Sequence, residues 1–502
     1  MTGRKRIRVR WRASAELTGD VLTYLTVPLA FPLLVALYYR ESPVPFLVAI
    51  AAALALGSGF RSLRDPDVDL GPREAFLAVA SIWFLVAAVG AIPFFVAGTG
   101  VLANPVNAMF ESMSGLTTTG ATVLVDFAVH PRGVMMWRQV LQWLGGLGIL
   151  ILATAVLSEI GVGGAQLMES ETQTRDVSKL TPKISQTARL IWGIYVGLTV
   201  LAAATYLALG FVVDPQMDLY NAIAHAFTSV STAGFSPEPR SIGAFHPAIQ
   251  WAVIPFMVVG STSFVLLYFA IDGEPMRLIK NDEFHFYLGS MGVFAAIVAL
   301  VLALDPGSPF GPEATVRHAA FNVASMVTTT GYASADFDLW APGAKHLLFM
   351  GMFLGGMVGS TTCSIKSLRW MVALKAFKRD LFTSIHPESI RPVRNSGAPV
   401  DEETIRDIYA YILLSVVIFF IFTVFVVVDA ERGDARVNEF EAMGAAASTF
   451  LNIGPAFGAA GPYGTYASFP LSTRAVMIVL MWIGRIEIIP VLVLFTKSFW
   501  TS

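Results

Sequence analysis

The chain has 502 residues, 55% hydrophobic and only 14% charged, with a mean hydropathy of +0.63, whereas a soluble protein needs about a quarter charged residues to cover its surface. Its 34 basic and 36 acidic residues leave a net charge of −2, which excludes a nucleic-acid binder, and a single cysteine excludes a disulfide scaffold or a Cys-rich metal site. What remains is an all-α polytopic membrane protein.

A helical span needs roughly 20 mostly apolar residues. Such stretches are predicted near 21–39, 44–60, 75–98, 134–158, 188–213, 250–272, 285–304, 345–372, 408–429 and 473–499. The first begins too far into the chain, runs too long and lacks the small-residue site of a cleavable signal peptide. Basic residues cluster at Arg4, Lys5, Arg6, Arg8, Arg10 and Arg12, at Arg61, Arg64 and Arg73, and at Lys375, Lys378, Arg379, Arg391 and Arg394. With these spans all three clusters fall on one side, the cytoplasmic one, and both termini are expected there.

Four segments on the opposite side share a pattern. Each opens with a helix-start signal, continues as a short apolar helix and ends on a glycine in a mostly polar run. The first opens at Asn104-Pro105 and ends SGLTTTGA, with Gly120. The second opens at Asp214-Pro215 and ends TSVSTAGF, with Gly234. The third opens at Gly311-Pro312 and ends SMVTTTGY, with Gly331; the fourth runs from about Asn438 to STFLNIGP, with Gly454. Six residues before each glycine stands a small hydroxyl: Ser114, Thr228, Ser325 and Ser448. Asn107 and Asn221 occupy the place thirteen before the first two glycines, and His318 that place in the third repeat.

A helix of about 12 residues is too short to span a bilayer, so each of these must enter the membrane and return. The repeat unit is span, short helix, glycine-containing strand, span. The expected segmentation is 1–72 (tail and two extra spans), 73–160, 161–272, 273–380 and 381–502, with one repeat in each of the last four. Four such units imply a pseudo-fourfold ring within one chain. Backbone at membrane depth must line a cavity or be buried in protein, and a ring of carbonyls can replace the hydration shell of an alkali cation. The C-terminal, negative ends of the short helices would favour a cation at the centre. A lone TTTG would be an ordinary turn; four glycines, each between a short helix and a span, are not explained that way.

At these residues the sequence resembles the Trk/Ktr/HKT superfamily of potassium transporters, and most of all its bacterial TrkH branch. WRQVLQWLGGLGILIL from Trp137, the polar stretch GVGGAQLMESETQTRDVSKLTPKISQTAR and MWIGRIEIIPVLVLF extend the resemblance over nearly the whole chain. The resemblance implies a K⁺-binding filter at Thr118, Thr119, Gly120, Thr232, Ala233, Gly234, Thr329, Thr330, Gly331, Asn452, Ile453 and Gly454. Glycine in the first filter goes, in family terms, with K⁺ over Na⁺. The fourth strand lacks the Thr of the others, which is expected to loosen selectivity. The resemblance makes K⁺ the expected transported ion, with no organic cofactor.

The second span of the third repeat reads FLGGMVGSTTCSIKSLRW. Gly355, Gly356 and Gly359, followed by Ser360, Thr361, Thr362, Cys363 and Ser364, should break a helix, because each glycine costs about 1 kcal/mol there and the hydroxyls offer the backbone other partners. The resemblance makes this a gating loop below the filter, although the family usually continues with glycines where Thr362-Cys363-Ser364 stand. The alternative for Gly355 and Gly359 is a tight helix-packing face. Arg485, inside an apolar span, is expected beneath the filter, either repelling cations or bonding the loop's carbonyls; Lys366 either assists the loop or anchors at the cytoplasmic surface. Arg485 and Glu487, two apart on a helix, do not face each other. Glu111 and Glu441 either draw cations to the outer mouth or cap a buried network, and His225 and His318 read as packing or hydrogen-bonding residues rather than ligands.

No HExxH, GxSxG or Walker-type motif is present, so an enzyme is disfavoured. An alternating-access transporter driven by H⁺ or Na⁺ is the main alternative; its repeats invert, whereas these four place every short helix on one side. The resemblance further implies residence in the bacterial cytoplasmic (inner) membrane. It also implies a homodimer and a cytoplasmic RCK-type nucleotide-binding subunit docking on the loops 159–187, 273–284 and 375–407.

Overall fold

A computed structural model of the protein describes residues 9–63, 71–155, 180–433 and 435–501. Arg4, Lys5, Arg6, Arg8, Arg64 and the loop from 159 to 179 lie outside the described residues. The fold is helical; the strands among the described residues are Arg394–Asn395 and Ala398–Pro399, a small antiparallel hairpin before the fourth repeat.

Two N-terminal spans come first, one built from Trp11–Tyr24 and Thr26–Tyr38, the other Val44–Arg61. They approach closely at Gly57, where a Cβ would sit 2.4 Å from the Thr23 hydroxyl and 2.9 Å from the Gly19 carbonyl. The first repeat follows with Pro72–Gly90 running into Ile92–Ala97, the short helix Pro105–Leu116, and Arg132–Ala155. The second has Leu180–Val213, Leu219–Val230, and the pair Pro247–Gly260 and Phe264–Ile271. The third has Asp282–Leu304, Pro312–Val327, Pro342–Gly351 and Ser367–Ile385. The fourth has Glu402–Arg432, Glu439–Leu451 and Leu471–Arg485, then the short turns Ile489–Leu494 and Lys497–Thr501.

Among the described residues six helices are long and apolar enough to cross a membrane, or seven if a bent pair is counted as one. The expected spans 250–272, 345–372 and 473–499 are not continuous helices. The first bends by 100° after Gly260, where the Thr262 hydroxyl turns back onto the Val258 carbonyl at 2.9 Å, the kind of side-chain competition that bends helices. The second opens into a loop between Gly351 and Ser367, and the third breaks at Glu487 and Ile488, both at φ 61°. A repeated Val-Gly-Ser-Thr, at 259–262 and again at 358–361, marks the first two breaks in the sequence.

Helix starts follow local chemistry, with one shift. Asn104 caps the first short helix by accepting from the Val106 N–H at 2.9 Å. Asn438 and Glu441 form a complete capping box on the fourth. The second starts four residues later than Asp214-Pro215 suggests: Asp218 is the cap, accepting from the Asn221 N–H at 2.8 Å. Asp214 instead accepts from the Gln216 and His246 N–H groups and shapes the preceding turn. Large exposed apolar side chains such as Val27, Phe211 and Leu413 lie on the long spans, as lipid contact requires.

Candidate functional site

Each short helix ends directly at its glycine-bearing segment. The residue two before the glycine is left-handed in all four: Thr118 (φ 53°), Thr232 (51°), Thr329 (51°) and Asn452 (55°). The glycines are left-handed as well: Gly120 (81°), Gly234 (79°), Gly331 (78°) and Gly454 (112°). The four segments close a ring. A Cβ on Gly120 would lie 2.4 Å from the Ala233 carbonyl oxygen, on Gly234 1.9 Å from that of Thr330, on Gly331 1.9 Å from that of Ile453, and on Gly454 2.7 Å from that of Thr119. Each glycine thus leaves room for the carbonyl of the next segment, in the order one to two to three to four and back to one.

The hydroxyl residue six before each glycine explains its own spacing. Its carbonyl accepts the N–H of the residue before the glycine: Ser114 from Thr119 at 2.9 Å, Thr228 from Ala233 at 2.9 Å, Ser325 from Thr330 at 2.8 Å, Ser448 from Ile453 at 2.9 Å. With the N–H groups tied back to the helix, the segment's carbonyls are released from helical bonding. The hydroxyls themselves hold the outgoing strand: Ser114 donates to the Ala121 carbonyl and Ser325 to the Tyr332 carbonyl, both at 2.6 Å, and Ser448 to that of Gly454 at 2.7 Å. Thr228 bonds the Tyr332 hydroxyl instead. The Thr118 hydroxyl is buried and has no protein partner.

The four glycines open on one side into a cavity of about 110 Å³. Arg138 lines this mouth, buried, pairing with Glu111 at 2.7 Å and donating to the Ser236 carbonyl at 3.1 Å. Glu111 also accepts from the Thr122 hydroxyl and the Val123 N–H, both at 2.9 Å. It is therefore a brace for the strand leaving the first segment, and its place, nine before the glycine, holds His225 and Asn322 in the next two repeats. His225 reaches the Ser236 hydroxyl at 2.9 Å and Asn322 that of Ser334 at 3.0 Å; His318 meets Ser334 too, at 2.8 Å. Glu441 serves the helix cap. Breaking a buried pair strands a charge, at a cost of about 3–5 kcal/mol. Glu111→Gln is expected to lower the thermal midpoint of the detergent-purified protein, and Glu111→Leu with Arg138→Met to recover much of it; equal midpoints for wild type and Glu111→Gln would refute the brace.

Beneath the ring, residues 352–366 form the loop. Gly355 and Gly356 allow close backbone approach: a Cβ would lie 2.6 Å from the Cys363 carbonyl and 2.7 Å from the Ser261 carbonyl respectively. Gly359 and Ser364 are left-handed, at φ 76° and 62°. The loop is fastened to the break in the second repeat, since the Met357 N–H donates to the Ser261 carbonyl at 3.0 Å and the Thr361 hydroxyl to that of Gly260 at 2.9 Å. It also touches the ring. The Cys363 N–H donates to the Thr329 hydroxyl at 3.1 Å, and the Thr361 and Thr232 hydroxyls lie 2.9 Å apart. Ser360 and Thr362 bond each other at 2.7 Å, and Lys366 donates to Thr362 within the loop rather than reaching a surface. Arg485 is buried at the end of its helix and donates to the Thr361 carbonyl at 2.9 Å, the Cys363 sulfur at 2.7 Å and the Gly145 carbonyl at 2.8 Å. Glu487 pairs with Arg369 at 2.5 Å.

Two buried side chains that spacing alone does not single out, Tyr466 and Gln142, hold the ring together with the filter residue Asn452. Tyr466 donates to the Gly454 carbonyl at 2.8 Å, Asn452 to the Thr119 hydroxyl at 2.8 Å, and Gln142 to the Ala233 carbonyl at 2.5 Å. Among the described residues no group of three His, Cys, Asp or Glu side chains is placed to hold a metal ion; the oxygens gathered here are carbonyls and hydroxyls.

The family profile described as TrkH, cation transport protein, matches residues 44–501. The chain belongs to the TrkH family. Relatives of this TrkH-family chain include the Trk system potassium uptake protein TrkH of Halomonas elongata, 33% identical over 97% of this chain and 99% of that one. The protein of the same name from Escherichia coli K12 is 32% identical over 98% of this chain and 100% of its own length. The crystal structure of the potassium transporter TrkH from Vibrio parahaemolyticus superimposes with a TM-score of 0.86 at 28% identity, covering 98% of this chain and all of that one. The TrkH family is one of membrane transport proteins, not of enzymes.

Proposed function

We propose that this chain takes up K⁺ across the bacterial cytoplasmic membrane by channel-like permeation through the ring of Gly120, Gly234, Gly331 and Gly454. The observation that carries this reading is the ring itself: four backbone segments interlocked glycine to carbonyl at the negative ends of four short helices. The relatives are named potassium uptake proteins, and K⁺ coordination by main-chain oxygens suits a site without carboxylate ligands. The unpartnered Thr118 hydroxyl offers a further oxygen to an ion or its water.

In this reading the filter comprises Thr118 to Gly120, Thr232 to Gly234, Thr329 to Gly331 and Asn452 to Gly454. Gly355, Gly356, Gly359 and Ser360 to Ser364 form the gate, with Lys366 stiffening it and Arg485 latching it. The chain works as a homodimer, with both termini cytoplasmic. An RCK-type nucleotide-binding subunit pulls on the gate from the cytoplasmic side, since the chain carries no nucleotide motif of its own.

The test is K⁺ and Na⁺ flux, side by side, into liposomes holding the purified chain. K⁺ flux well above Na⁺, driven by its own gradient, is expected. Deleting residues 355–364 is expected to raise K⁺ flux several-fold. K⁺ movement only under an imposed H⁺ or Na⁺ gradient, in both forms, would replace this reading with a coupled transporter.

A further inference from the structure

The four segments are not braced alike. In the first and third, the residue before the glycine is a threonine whose hydroxyl bonds the threonine two residues back: Thr119 to Thr117 and Thr330 to Thr328, both at 2.7 Å. The second segment keeps a hydroxyl at the earlier place, Ser231, but has Ala233 before the glycine. That internal bond cannot form there.

Gln142 bonds this segment's main chain instead. It is fully buried and comes from the second span of the first repeat, Arg132–Ala155. Its Nε2 donates to the Ala233 carbonyl at 2.5 Å, and its Oε1 accepts from the Phe235 N–H at 2.9 Å. The amide orientation is dictated by its partners, because a carbonyl only accepts and a backbone N–H only donates. The two bonds straddle Gly234, at φ 79° the residue of the segment with the most backbone freedom. Held on both sides, the Gly234 peptides cannot rotate without breaking a buried bond. The Ala233 carbonyl is also the oxygen that faces Gly120 across the ring.

We infer that Gln142 is a positioning residue for ion selectivity. It ties the main chain of the second segment from outside, where the first and third segments carry a Thr–Thr hydroxyl pair within. The inference rests on reading the four segments as an ion filter, and it adds to that reading a selectivity determinant outside the filter itself.

The experiment compares K⁺ and Na⁺ flux in liposomes for the full chain and three variants: Gln142→Leu, Gln142→Glu, and Gln142→Leu with Ala233→Thr. Gln142→Leu removes both bonds and is expected to reduce K⁺-over-Na⁺ discrimination about tenfold while total cation flux persists. Gln142→Glu keeps the bond from Phe235 but sets a carboxylate against the Ala233 carbonyl, so discrimination falls again. It matches glutamine in shape and carries the test alone if Gln142→Leu does not fold. Ala233→Thr places a hydroxyl two residues from Ser231, as in the first and third segments, and is expected to restore most of the lost discrimination. A purely structural glutamine would show no such rescue. Unchanged discrimination in both single variants, or a loss that Ala233→Thr leaves unrepaired, overturns the inference. Equal passage of K⁺ and Na⁺ through the wild-type chain would instead fault the filter reading itself.

Discussion

Gly331→Ala is expected to abolish selective K⁺ flux. The new Cβ would stand 1.9 Å from the Ile453 carbonyl oxygen, well inside contact distance, and neither atom can swing aside. The methyl is fixed to backbone and the oxygen belongs to it, and the ring holds both segments on all sides, so one segment must leave its place. The left-handed φ of 78° adds a cost of about 1–3 kcal/mol for any residue with a Cβ. The effect should be graded around the ring. Gly234→Ala meets the Thr330 carbonyl at the same 1.9 Å, Gly120→Ala meets Ala233 at 2.4 Å and Gly454→Ala meets Thr119 at 2.7 Å. K⁺ flux and the K⁺/Na⁺ ratio, measured for the four variants in liposomes, should fall most at 234 and 331 and least at 454. Wild-type discrimination in Gly331→Ala would refute the role assigned to these carbonyls.

Arg485→Ala is expected to raise K⁺ flux through the chain alone by about tenfold or more. The guanidinium ties the loop, at Thr361 and Cys363, to the first repeat at Gly145. A hydrogen bond from a charged donor contributes about 1.5–3 kcal/mol, so losing one is enough for a tenfold shift between closed and open loop. In the proposed reading the buried cation also raises the local barrier to K⁺. Arg485→Lys separates the two effects. It keeps the charge, but an ammonium lacks the fork that reaches separated acceptors. Flux between wild type and Arg485→Ala would show that both act; flux equal to wild type would assign the barrier to charge alone. An Arg485→Ala variant no more active than wild type would remove Arg485 from the gate.

Much of this arrangement is legible along the chain because it is local. The hydroxyl six before each glycine serves a bond within one turn and its following strand, so its spacing recurs wherever that unit recurs. Asn104 and Asn438 cap helices two and three residues away. The second helix start shows where local reading ends: Asp214 and Asp218 both carry cap chemistry, and only the turn between them decides which is used. The bend after Gly260 is written in the same four letters as the loop at 358–361, yet a bend needs a partner to stabilise it, and that partner is the loop itself.

From sequence alone came the membrane character, the four repeats, the glycines and the residues of the loop, because composition, capping and short-range spacing act between neighbours in the chain. Only the tertiary structure decided which carbonyl each glycine faces. It also decided that Glu111 meets Arg138 and the strand leaving the first segment, that Glu487 meets Arg369, and that Gln142 braces a segment of the next repeat. Those contacts join residues 27, 118 and 91 positions apart. Their energy depends on the burial of both partners at once, and no local pattern encodes which distant polar groups will share one dry site.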